Sequence, residues 1–187
     1  VGDGNTGAGG AMSLTAGRTT SSNATGGKLT IKAGASDDPS ASSSTSTSIG
    51  GEIEIVAGLG SGKGGAVTIT TGVGNATDSG AMTLSTAAGG TSGNSGDVSM
   101  KTGAGGTTGN SGKMELATGD SQTAGASGNI SISTGSAVGG NGGDITMKVG
   151  DGNTGAGGAM SLTAGRTTSS NATGGKLTIK AGASDDP

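Results

Sequence analysis

Apolar residues recur along the chain in pairs two positions apart, and each pair sits in a seven-residue pattern bounded by glycine. The pattern reads Gly, variable, apolar, polar, apolar, variable, small, Gly. Eleven copies occur: AMSLTAG at 11, KLTIKAG at 28, EIEIVAG at 52, AVTITTG at 66, AMTLSTA at 81, DVSMKTG at 97, KMELATG at 113, NISISTG at 129, DITMKVG at 144, and duplicates at 159 and 176. Side chains two apart share one face of an extended segment, so each copy predicts a short strand with one apolar face. The expected inward core is Met12, Leu14, Leu29, Ile31, Ile53, Ile55, Val67, Ile69, Met82, Leu84, Val98, Met100, Met114, Leu116, Ile130, Ile132, Ile145 and Met147. Ala16, Ala33, Thr71, Thr102, Thr134 and Val149 continue that row, and Ser13, Thr30, Glu54, Ser99, Glu115 and Thr146 lie between and face outward. All six Met residues fall on the inward row and seven of the eight Lys on outward positions, a sorting that argues against a disordered chain.

Every segment follows a glycine directly, and ten of the eleven end in one, Ala87 being the exception. Gly10, Gly27, Gly51, Gly65, Gly80, Gly96, Gly112, Gly128 and Gly143 are therefore expected at corners, where the backbone bends or another backbone comes close. Segments start 17, 24, 14, 15, 16, 16, 16, 15, 15 and 17 residues apart, which suits one strand, two corners and a return leg per coil. The expected fold is all-β: a parallel β-solenoid, or β-helix, of about 16 residues per coil. Such a coil buries too little alone and is expected to be stable only when stacked, at about 4.8 Å per coil.

A longer period overlies the short one. Residues 149–187 reproduce residues 1–39 without a difference, so 1–148 is one full repeat of nine coils and 149–187 the start of the next. The whole of 1–187 is expected to form one continuous solenoid, with 37–48 (DDPSASSSTSTS) as a loop insertion. Val1 opens the chain without an initiator Met or an apolar leader, which reads as an internal piece of a longer array.

Composition bears on function more than on fold. The 187 residues include 45 Gly, 2 Pro and no Cys, His or aromatic residue, and only 28% are hydrophobic. An ordinary globular core is excluded. Without Cys there are no disulfides and no thiolate metal sites, and the redox compartment cannot be read. A net charge of −3 with interspersed signs gives no basic face, so nucleic acid and anionic membrane surfaces are not expected partners. No run of 18 apolar residues predicts insertion into a membrane.

Catalysis has little to work with. Nucleophilic and acid-base mechanisms draw on His, Cys or paired carboxylates in a pocket, and Glu52 and Glu54 share an outward face with nothing concave around them. No enzyme activity and no cofactor are expected. The stretch GDGNTGAGG at 2–10 lacks the Lys and the helix of a phosphate loop. That stretch and GGNGGD at 139–144 lack the nine-residue recurrence of calcium-binding repeats, so Asp3, Asp144 and Asp151 are not read as metal ligands. Asp97 and Lys113 are expected to form a weak surface ion pair between neighbouring coils. Sequons at Asn23, Asn75, Asn129 and Asn171 permit N-glycosylation of a secreted chain. Asn23, Asn75 and Asn171 are the better placed, in presumed turns.

At the level of motif the chain resembles the secreted Gly/Ser/Thr-rich parallel β-solenoid repeats of large adhesins, algal and protist surface proteins and phage fibres. The resemblance implies an extracellular or cell-surface fibrous role. The expected function is a structural subunit of an extracellular filament whose partner is itself, head-to-tail or lateral, with glycans at the sequons. An adhesin stalk or phage-type fibre shaft is one alternative. An ice-binding solenoid is another, disfavoured because outward columns mix Thr68, Thr83 and Thr146 with Glu54, Glu115, Lys101 and Lys148.

Overall fold

A computed structural model of the chain describes residues 8–36, 48–122 and 124–183. Among these residues there is no helix and no strand, so the chain is not a β-solenoid: no sheet exists for coils to stack in. Most of the expected insertion, 37–47, lies outside the described residues. The chain divides into two units, Val1–Lys101 and Thr102–Pro187, and the boundary falls inside an apolar segment rather than at the 148/149 junction of the long repeat. The expected β-solenoid, with nine coils per 148-residue repeat, is therefore not the fold of the described residues.

The expected core is exposed. Met12 and Leu14, Leu29 and Ile31, Ile53 and Ile55, Val67 and Ile69, Met82 and Leu84, Val98 and Met100, Met114 and Leu116, Ile130 and Ile132, and Ile145 and Met147 all face solvent, and no side chain is buried among the described residues. The chain exposes 18,088 Å², more than twice the roughly 7,700 Å² of a compact monomer of its mass. The physical reason lies in composition. Each segment offers two sizeable apolar side chains, while ordering its Gly-rich connection costs more conformational entropy than any other residue type would impose. Without ladder bonds from a neighbouring coil that cost is not offset, and the segments stand apart.

What order there is lies in the loops. Within the segments the period of two survives locally, since Ser13 Oγ lies 3.3 Å from Thr15 Oγ1 and Ser161 Oγ lies 3.5 Å from Thr163 Oγ1. Those pairs two apart meet as they do on an extended backbone and would not on a helix. Between segments, the glycine before one segment returns to the end of the previous one. The Gly27 N–H donates to the Gly17 carbonyl at 2.7 Å, Gly51 to Gly34 at 2.8 Å, Gly65 to Gly58 at 2.9 Å and Gly80 to Gly72 at 2.9 Å in the first unit. Gly175 donates to Gly165 at 2.8 Å in the second. Each of these five connections is thus a loop closed at its neck.

The neck explains the irregular spacing of the repeat. The seven-residue segment is constant and the loop length is free, because closure depends on the two ends alone and its entropy varies slowly with length. The Gly34–Gly51 neck closes around the connection that holds the inserted residues. Two connections without a neck bond hold a shorter closure instead, with Gly93 N–H donating to Gly90 and Gly109 N–H to Gly106, both at 3.1 Å. These are four-residue turns around Thr91–Ser92 and Thr107–Thr108.

Gly27→Val should open the first neck, because a Cβ at Gly27 would stand 2.9 Å from the Gly17 nitrogen and 3.2 Å from its carbonyl oxygen. Nuclear Overhauser contacts between residues 16–17 and 27 should vanish while those across Gly34 and Gly51 persist. Loss of both sets would show that the necks close cooperatively rather than one by one.

Candidate functional site

Two features recur with the repeat: the neck and the exposed apolar row. The neck is built from the sixth residue of a segment and the glycine before the next segment. A Cβ placed on the second would lie 3.4 Å from Ala16 Cβ at Gly27, 3.3 Å from Ala33 Cβ at Gly51, 3.3 Å from Ala57 Cβ at Gly65 and 3.6 Å from Ala164 Cβ at Gly175. Every neck with Ala at this position also forms the Gly–Gly backbone hydrogen bond. Where the sixth residue is Thr86, Thr102, Thr118, Thr134 or Val149, the glycine meets the side chain instead and no such bond forms. Thr71 is the exception, bonded across Gly72 and Gly80. Ala at the pinch always accompanies a closed neck, whereas Thr accompanies a closed neck at Thr71 and open ones elsewhere.

Burial follows the same rule. Ala16, Ala33, Ala57, Thr71, Val149 and Ala164 are half-buried, and apart from two loop glycines and Thr19 and Thr167 they are the least exposed of the described residues. Exposure then rises toward the middle of a segment: Ile130, beside a neck, is 51% exposed and Ile132, two residues on, 70%. The expected inward row therefore splits. Its third position contacts the neck, while its first two stand in water.

The identical stretches 11–35 and 159–183 share their neck and Ser–Thr contacts. In each, the backbone N–H of the residue two after a threonine donates to that threonine's Oγ1, Ser21 to Thr19 at 3.2 Å and Ser169 to Thr167 at 3.1 Å. This short polar closure opens the turn that carries the sequon. Asn23 takes a positive φ of 61°, a conformation Asn tolerates better than most residues. Asn171 lies in the equivalent turn, Asn75 in a bend and Asn129 at a segment start outside any turn, and all four are exposed. The Thr-x-Ser signal preceding both sequons was readable in the sequence and points to the turn.

The charged candidates are dispersed. Lys113 pairs with Glu115 of its own segment, two residues on and on the same face, instead of with Asp97. Glu52, Glu54, Lys28 and Lys32 are exposed and form no ion pair among the described residues. No group of three or more acidic residues is placed to hold a metal ion among the described residues, Asp144 and Asp151 included; Asp3 lies outside them. What the geometry offers is surface: apolar pairs repeated at each segment, flanked by charge.

Digestion of the natural protein with an enzyme that releases Asn-linked glycans should lower its mass, with Asn23, Asn75 and Asn171 converted to Asp and Asn129 unchanged. An unchanged mass, or conversion confined to Asn129, would contradict the placement of the sequons in accessible turns.

Comparison with protein-family models, with curated proteins and with solved structures finds no match.

Proposed function

We propose that the chain is a structural subunit of an extracellular filament, assembled from many copies of itself. The observation that supports this reading most directly is the exposed apolar pair, repeated at every segment with Met12 and Leu14 or Ile130 and Ile132 as its type. Monomeric soluble proteins rarely leave large apolar surface open, and surface of that kind marks a place where another molecule sits. A row that recurs eleven times and returns unchanged after 148 residues fits a partner with the same periodicity, which is the chain itself.

Chemistry is consistent with a role in material rather than turnover. The chain has no Cys, His or aromatic residue, and no three acidic residues cluster among the described residues. Outward Ser, Thr, Lys and Glu keep the unassembled chain hydrated. Glycans on the turn sequons would add to this at an extracellular surface.

Electron microscopy of the purified chain over a concentration series should show filaments above a threshold concentration. Leu84→Asp, at a position 76% exposed, should leave the spectra of the dilute chain unchanged apart from its neighbours. It should raise that threshold, because a charge would have to be desolvated on assembly. A wild-type chain that stays monomeric at all concentrations, or a Leu84→Asp chain that assembles equally well, would overturn the proposal.

A further inference from the structure

At two places along the chain the charges beside the apolar row change sign between neighbouring segments. Lys28 and Lys32 flank the row at 28–34, and Glu52 and Glu54 flank it in the following segment; Asp97 then opens one segment and Lys113 the next. All are exposed, and Lys28, Lys32, Glu52, Glu54 and Asp97 form no ion pair within the described chain. The signs are thus matched between neighbouring segments, yet the matching is unused inside the molecule.

We infer that a second copy of the chain docks along the apolar rows in parallel and displaced by one segment, so that Lys28 of one copy faces Glu52 of the other and Lys32 lies diagonal to Glu54. With no displacement, every charged position meets its own kind, Lys28 against Lys28 and Glu52 against Glu52, and like charges directly opposite destabilise a pair of extended segments. Antiparallel docking of a segment on itself favours Asp97 against Lys101 but sets Lys28 against Lys32 and Glu54 against Glu54. A parallel displacement of one segment places no like charges opposite anywhere along the eleven segments and gains Lys28 with Glu52 and Asp97 with Lys113.

The closed necks make such a register workable. Because the long connection between the Lys28 and Glu52 segments returns to its starting point, with Gly51 N–H on the Gly34 carbonyl, its length does not set the spacing of these two oppositely charged segments. The exposed middle of each segment, typified by Ile31 and Ile55, supplies apolar contact, and the backbone groups of the segments are open to a neighbour. A displaced pairing leaves one segment overhanging at each end. Its contact is heterologous and does not close, so it adds copies without limit. This register rests on the filament reading and specifies it.

Charge reversal separates the two. One variant carries Lys28→Glu, Lys32→Glu, Lys176→Glu and Lys180→Glu, the last two because the segment recurs; a second carries Glu52→Lys and Glu54→Lys; a third combines all six. Each is followed by light scattering against concentration at low and moderate salt. The first two should need about tenfold more protein to assemble than wild type, the third should return to the wild-type threshold, and added salt should weaken wild-type assembly. Wild-type assembly with all three variants unchanged, or strengthened by salt, would overturn the displaced register and leave the filament reading standing. No assembly of wild type under any condition would overturn both.

Discussion

The close approach of two backbones at five loop necks is the constraint on which the order in the described chain depends. Gly17 and Gly27, Gly34 and Gly51, or Gly165 and Gly175 come together at hydrogen-bond distance, and at such a distance a Cβ on the second glycine would collide with the first. A side chain there is excluded for space at Gly27 and crowded at Gly51, Gly65 and Gly175. The sixth residue of the preceding segment must also be small, and Ala16, Ala33, Ala57 and Ala164 satisfy this where the neck is tightest. Folding in this protein is local closure repeated along the chain.

Local closure has an energetic consequence for the apolar residues. A loop neck orders a few backbone groups but encloses nothing, so Met, Leu and Ile in mid-segment gain no burial from it. Their surface remains as free energy that only association can release. The same segments carry alternating polar and charged positions, of which the pair Lys113 and Glu115 is joined within one segment. A surface ion pair of that kind contributes little to order. Its significance is geometric, since it shows the charged positions lying together on one side of the apolar row.

Part of this was legible in the sequence. The eleven segments, the alternation within them and the glycines around them follow from spacing, and Ser13 with Thr15 shows side chains two apart meeting. The closed loop was misread as a return leg of a coil because a neck and a corner use the same residue, Gly51 or Gly65, at the same offset. What distinguishes them is the sixth position. Ala33 and Ala57 read as minor members of an inward row, whereas they are small because a backbone passes beside them. The inward assignment of Ile53, Leu84 or Ile130 failed for a different reason. Period-two patterning shows that one face is apolar, but what covers that face depends on partners that a single chain's pattern does not contain. For the candidate site, Asn23 and Asn171 in turns were readable from Ser, Asn and Gly content, while the Lys113–Glu115 pairing depended on which neighbour lay nearer.

The central claim is that order in the isolated chain resides at the necks and not in the apolar segments. Amide hydrogen exchange of the dilute chain, resolved by residue, tests it directly. The account predicts that Gly27, Gly51, Gly65, Gly80 and Gly175, whose N–H groups are bonded across necks, exchange more slowly than mid-segment amides such as those of Ile31, Ile55 and Ile132. Slower exchange in the segments than at the necks would mean that the segments are laddered in the single chain, and would contradict it.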